Sequence, residues 1–120
     1  MKLIFSLVAV AVSIVLVGGC SSVSKAGYHW GDYSQTYLTL TRKPSAQATQ
    51  AHIKELRDIL QVSQEKELKP PPGICAELAF YLSQPEGEGS QEEIDRYYQC
   101  EIETYPESAL FIQRLTGVSQ

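Results

Sequence analysis

The side chains in this 120-residue sequence that can do chemistry are three cysteines, two histidines and fourteen carboxylates. Cys20 stands in the most informative setting. It follows Leu16-Val17-Gly18-Gly19, at the end of an apolar run that begins right after Met1-Lys2. A positive start, an apolar middle and small residues before the cut make a secretory signal. Such a signal does not in general require a Cys just after the cut. Here the Cys20 thiol is the expected acceptor of a diacylglycerol. Its amine, freed by cleavage at Gly19-Cys20, is the expected acceptor of a further palmitate-type chain. The apolar run is shorter than the roughly 20 residues that a spanning helix needs. A plain secreted chain with a chance Cys is the competing reading. Each buried methylene contributes about 0.8 kcal/mol and stable anchoring takes more than one chain, so two or three chains would hold the protein at a membrane.

No Asp follows Cys20, and Ser21-Ser22 stand there instead. This points to the outer membrane, with the domain facing the periplasm. The expected organisation is a signal peptide over 1–19, a flexible lipidated tether over 20–27, and one α-helical periplasmic domain over 28–117.

Cys75 and Cys100 form an even pair in an exported chain, which suggests a disulfide. Closing that loop stabilises by about 3 kcal/mol on the chain-entropy estimate. Two buried thiols are the alternative. His29 and His52 have no ligand-like spacing with these cysteines, so neither a metal nor a cofactor is expected. Catalysis also lacks its parts. A Ser nucleophile needs a positioned His and an orienting acid, and the sequence has no G-x-S-x-G elbow. His29 lies in an aromatic loop, and His52 reads as part of a charged helix face. A carboxylate pair for glycan cleavage can be drawn from Glu77, Glu92 or Glu93, but no spacing selects one. Glu77 is the one to watch, although a solvated surface carboxylate is the simpler reading. No catalytic residue, enzyme activity or small-molecule substrate is therefore expected.

Losing Lys2 with the signal takes the net charge from −4 to −5. The charges are mixed along the chain. No basic stripe points to nucleic acid or to an electrostatic grip on anionic lipid.

The elements that would position these residues read as helices. Trp30, Tyr33, Tyr37 and Leu40 recur at helical spacing, with Asp32 or Ser34 as a cap. Such a stripe most simply packs into a core; the alternative is a binding platform. Trp30, Tyr33 and Tyr37 are the candidate interaction surface. Ser45 predicts the start of a helix from Ala46 to about Gln64, with Ile53, Leu56 and Leu60 inward. Pro70-Pro71-Pro72-Gly73 breaks the chain. Ile74 to Gln84 is the next helix, and Pro85 to Gly89 is a turn. Ser90-Gln91-Glu92-Glu93 fits a capping box for a helix carrying Ile94, Tyr97, Tyr98 and Ile102. Thr104 to Glu107 repeats the capping spacing. It opens a last helix with Leu110, Phe111 and Leu115 on its apolar side, ended by Gly117. The fold class is all-α, with four to five helices.

The block from Ile74 to Pro106 resembles one tetratricopeptide repeat. Ala79 fits the small site, Tyr98 the aromatic site and Pro106 the closing Pro, while the turn is about three residues too long for the ~34-residue repeat. Antiparallel packing of such a pair would bring Cys75 near Cys100. One repeat cannot build the superhelix that binds peptides, which takes at least about three.

Four blocks together resemble the signature of a family of small bacterial lipoproteins, domain of unknown function 4810. They are Tyr28-His29-Trp30-Gly31-Asp32-Tyr33, Thr36-Tyr37-Leu38, Pro71-Pro72-Gly73-Ile74-Cys75-Ala76-Glu77-Leu78, and Tyr105-Pro106-Glu107-Ser108 with Phe111. The likeness spans most of residues 28 to 115. It departs at Thr36, where Leu is usual, at Ala79, where Gly is usual, and in the long turn after Gln84. The resemblance implies partners rather than chemistry. Members tend to be encoded beside a lipoprotein like the curli-secretion channel and a second small lipoprotein. The expected function is thus a lipid-anchored outer-membrane adaptor that docks other envelope lipoproteins. The alternatives are a periplasmic cell-wall-active hydrolase without a recognisable site, and a structural spacer.

Overall fold

The computed structural model describes residues 27–117. Cys20 and the expected signal lie outside the described residues. The described chain folds as α1 (Tyr33–Arg42), α2 (Ala46–Glu65), α3 (Ile74–Ser83), α4 (Gln91–Thr104), a 3-10 turn (Pro106–Ser108) and α5 (Ala109–Thr116). It holds no strand among these residues, so the all-α expectation of four to five helices is met.

Two serines start helices as their side chains predict. The Ser45 Oγ accepts the Ala48 N–H at 3.0 Å, and the Ser90 Oγ accepts the Glu93 N–H at 3.2 Å. Each satisfies one of the donors that a helix start leaves free, at roughly 1 kcal/mol. The capping box at Ser90 is only half made. The Glu93 carboxylate turns outward instead and accepts from Arg57 of α2 at 2.7 Å.

The core is the shared interior of α2, α3 and α4. Ile53, Leu56 and Ile59 meet Ile74, Leu78, Ala79, Leu82 and Ile94, with Leu60, Tyr97 and Tyr98 partly covering them. Each large aliphatic side chain removed from water here stabilises by about 1.5–3 kcal/mol. Ser63, also buried on α2, has no hydrogen-bond partner for its hydroxyl among the described residues.

Helices α3 and α4 pair antiparallel, as the Cys75–Cys100 disulfide requires. Their Cα atoms lie 6.0 Å apart, across a separation of 25 residues. The long turn between the two helices does not loop outward. The Gly87 N–H donates to the Gln84 carbonyl at 2.9 Å, and the Gly89 N–H to the Leu82 carbonyl at 3.0 Å. A Cβ on Gly87 would run into the Tyr81 carbonyl, so only glycine lets the turn fold back on the helix end. The three extra residues are therefore packed structure.

The entry to α3 is built differently. Gly73 is its N-cap, with φ +89° and no side chain to offer. The missing acceptor comes from across the hairpin. Glu101 of α4, only 5% exposed, accepts the Gly73 N–H at 2.9 Å and the Ala76 N–H at 3.3 Å. One residue along from Cys100, a carboxylate thus caps the partner helix and meets the positive end of its dipole.

Two sequence expectations change at the C-terminal end. Thr104 caps nothing: Tyr105 ends α4, and Pro106 opens the 3-10 turn that delays α5 to Ala109. Leu110, Phe111 and Leu115 are not the packed side of α5. They are 59%, 59% and 51% exposed, and Ile112 is the residue that faces inward. A short helix ending the described chain has one neighbour to lie on, so one residue per turn suffices to seat it.

Candidate functional site

Helix α1 buries only Leu40 and lies along α2. A helix so lightly buried needs other fastening, and polar side chains supply it. The Tyr33 hydroxyl donates to Glu77 Oε2 at 2.8 Å. Glu77 Oε1 meets His52 Nε2 at 2.9 Å, and His52 Nδ1 meets the Thr36 hydroxyl at 2.8 Å. One line of contacts therefore joins α1, α2 and α3. Whichever ring nitrogen holds the proton, both are partnered. A second fastening precedes α1, where the Asp32 N–H donates to Glu55 Oε1 at 2.7 Å.

This places two sequence candidates differently from their reading. His52 does not lie on a charged face; it is 0% exposed. Its neighbours Gln50 and Lys54 are exposed, but His52 shares the inward line of Leu56, Ile59 and Ser63. That spacing of i, i+4, i+7 and i+11 was the signal available in the sequence. Glu77 is not a freely solvated carboxylate. Both oxygens are engaged and its side chain is largely covered. Burial first, then the hydrogen bond to Glu77, push the Tyr33 phenol well above its ordinary value. Burial and the Glu77 charge push Tyr81 up as well.

Aromatic rings gather around this polar frame. Tyr28 meets Trp30 at 6.5 Å between ring centroids, and Trp30 meets Tyr33 edge-on at 5.5 Å. Tyr33 and Tyr37 stack nearly parallel at 5.8 Å. His52 lies 5.4 Å from Tyr33, 5.9 Å from Tyr37 and 5.2 Å from Tyr81, which in turn touches Phe80. The rings thus run as one strip across α1, α2 and α3. Trp30 is 45% exposed and Tyr37 40%, while Tyr33 is partly buried against the core. The stripe is therefore divided: Tyr33 packs, whereas Trp30 and Tyr37 present their rings to solvent. The structure brings Trp30, Tyr33 and Tyr37 together, and adds Tyr28, Tyr81 and Phe80.

The arrangement positions groups. A His, a carboxylate and a Tyr in hydrogen-bond contact resemble the parts of an acid–base site, but the His52 ring has no exposed face to meet a substrate. What the frame does is hold the Tyr33 ring, and so the exposed rings on either side of it, in one orientation. Among the described residues no three His, Cys, Asp or Glu side chains gather as a metal site. No helix there is long and apolar enough to cross a membrane.

Sequence reasoning did not find Glu101. It stands next to Cys100, in a helix whose partner starts with a bare glycine. Only the hairpin pairing brings those two facts together.

Neither a curated protein nor a solved structure matches the chain. The model of one family does match, over residues 28–115, and so covers α1 to α4, all but the last residue of α5, and the aromatic block that precedes α1. The chain therefore belongs to the family described as domain of unknown function DUF4810.

Proposed function

We propose that this protein is a lipid-anchored adaptor of the outer membrane. Acylated Cys20 would hold it, and the flank formed by Trp30, Tyr33 and Tyr37 would dock other envelope lipoproteins. The observation that carries this reading is the pair of exposed rings, Trp30 and Tyr37, seated on a fully partnered polar frame. Trp and Tyr are enriched among residues that dominate binding energy at interfaces. A flank already fixed in its bound orientation loses less entropy on docking. Confinement of both partners to one membrane raises their effective concentration, so modest contacts suffice. A lipoprotein like the curli-secretion channel is the partner toward which the family resemblance points.

Affinity purification of the detergent-solubilised full-length protein tests this. The wild type should recover other envelope lipoproteins, and Trp30→Ala with Tyr37→Ala should lower that recovery by about tenfold or more, the effect of losing an aromatic hot spot. Equal recovery by the double variant would overturn the docking flank. Solubilisation of peptidoglycan by the purified protein, abolished by Glu77→Gln, would favour the cell-wall hydrolase instead.

A further inference from the structure

The two ends of the Cys75–Cys100 disulfide stand in different surroundings. Cys75 lies in the first turn of α3 and is 1% exposed. Cys100, in the later turns of α4, is half-buried. A thiolate that opens a disulfide attacks one sulfur and expels the other as a thiolate. Of the pair, Cys100 is the one that solvent reaches. Attack there forms the new bond to Cys100 Sγ, breaks the Cys75–Cys100 bond, and sends the electron pair out on Cys75.

A carboxylate guards that leaving side. The start of a helix ordinarily steadies a thiolate, because free N–H groups and the positive end of the dipole face it. In α3 this place is already taken. Glu101 Oε1 accepts the Gly73 N–H at 2.9 Å and Oε2 the Ala76 N–H at 3.3 Å, and these two residues bracket Cys75. Counted from the Ala76 nitrogen, bond lengths alone keep Oε2 within about 9 Å of Cys75 Sγ. That is inside the Debye length of about 10 Å at 0.1 M salt. Glu101 is also 5% exposed, so its charge is screened less than a surface charge. It follows Cys100 directly in the chain. The carboxylate therefore opposes a thiolate leaving at Cys75 and an anionic thiol arriving at Cys100.

We propose that Cys100 is the sulfur at which thiols open this disulfide, and that Glu101 makes the opening selective for cationic thiols over anionic ones. The step is a thiol–disulfide exchange. A thiolate R–S⁻ gives the mixed disulfide R–S–S–Cys100, and Cys75 leaves as a thiolate that takes its proton from water. The incoming thiol is the reductant. Glu101, the cap of α3, thus has a second role as the gatekeeper of the covalent link. This role is independent of the adaptor reading.

The test uses the full-length protein in a non-ionic detergent. Cysteamine is the cationic thiol and 2-mercaptoethanesulfonate the anionic one. Each rate is taken per thiolate and relative to the same thiol's rate on a neutral small disulfide. Acid quench, alkylation and peptide mass read the site of attack on the wild type, and keep Cys20 apart from the pair. The expected product carries the thiol adduct on Cys100 and the alkyl group on Cys75; the reverse pairing would overturn the choice of sulfur. The cysteamine rate should exceed the sulfonate rate in the wild type, and equal rates or the opposite order would overturn the selectivity with no variant needed. Glu101→Gln should cut the ratio of the two rates at least about threefold, the effect of removing one charge at this range. Loosening of the hairpin speeds both thiols alike and leaves that ratio unmoved. Glu92→Gln, at an exposed position at the other end of α4, removes the same charge and should keep the ratio. An unchanged ratio in Glu101→Gln, or an equal fall in Glu92→Gln, would overturn the role of Glu101.

Discussion

Glu101 and Glu77 both meet the first turns of α3, and they take different partners. Glu101 accepts two backbone N–H groups and stands beside a covalent link. Glu77 accepts only from side chains, Tyr33 and His52, that belong to other helices. The first arrangement locks α3 to α4 whatever happens elsewhere. The second depends on four side chains holding one geometry, and it is the main polar fastening of the thinly buried α1. The hairpin is accordingly the stable unit of the fold. The α1 flank is the part whose order can be removed without unfolding the rest.

The strongest way to break this contrast is to cut the covalent link. Cys75→Ser with Cys100→Ser should cost about 3 kcal/mol, a drop of roughly 15 °C in Tm for a domain of this size. Thermal unfolding with and without reductant measures it. An unchanged Tm would show that the hairpin stands without its link. Next in size is Glu101→Gln. The amide keeps one acceptor and points a donor at the other N–H, so about 2 kcal/mol should be lost. Denaturant unfolding reads it, and a loss as small as that of a surface substitution would discard the capping role.

On the other side, Tyr33→Phe removes one hydrogen bond to a charged acceptor, worth roughly 1–2 kcal/mol. Amide exchange should quicken in α1 and stay unchanged in α3 and α4. Uniform quickening would mean that the two regions are one unit. The same side chain sets a pH signature. Its raised phenol pKa means that the folded state keeps the proton longer than the unfolded one. Its contribution is fully present below the ordinary value of 10.0 and is lost progressively as pH climbs above it. Tm should therefore fall on the alkaline side of that value, and less steeply in Tyr33→Phe. Tyr105, Tyr81 and Tyr98 are raised too, so a residual slope remains.

The smallest effect concerns a position that belongs to neither region. Ser63→Ala removes a buried hydroxyl that has no partner among the described residues. It should leave stability unchanged or raise it by up to about 1 kcal/mol. A clear loss would reveal a partner for that hydroxyl.

These contrasts also mark what the sequence makes legible. Helix starts at Ser45 and Ser90, the breaker at Pro70 to Gly73 and the even pair Cys75 and Cys100 are local signals, and the helices and the disulfide follow them. His52 was hidden because a polar residue occupied a core position between charged neighbours, although its spacing from Leu56 and Ile59 matched the inward line. Glu101 was hidden more deeply, since capping a helix from across a hairpin leaves no trace within either helix. The face of α5 misled for a third reason. Periodicity marks which side is apolar, but not whether protein or something else covers it.

The central claim is that the ordered aromatic flank, and not the stapled hairpin, meets the partner. Photocrosslinking in living cells addresses it directly, with a benzophenone amino acid placed at Trp30 in one strain and at Gln99, on the exposed side of α4, in another. The account predicts a discrete adduct with another envelope lipoprotein from position 30 and none from position 99. An adduct from position 99 alone, or none from either, would contradict it.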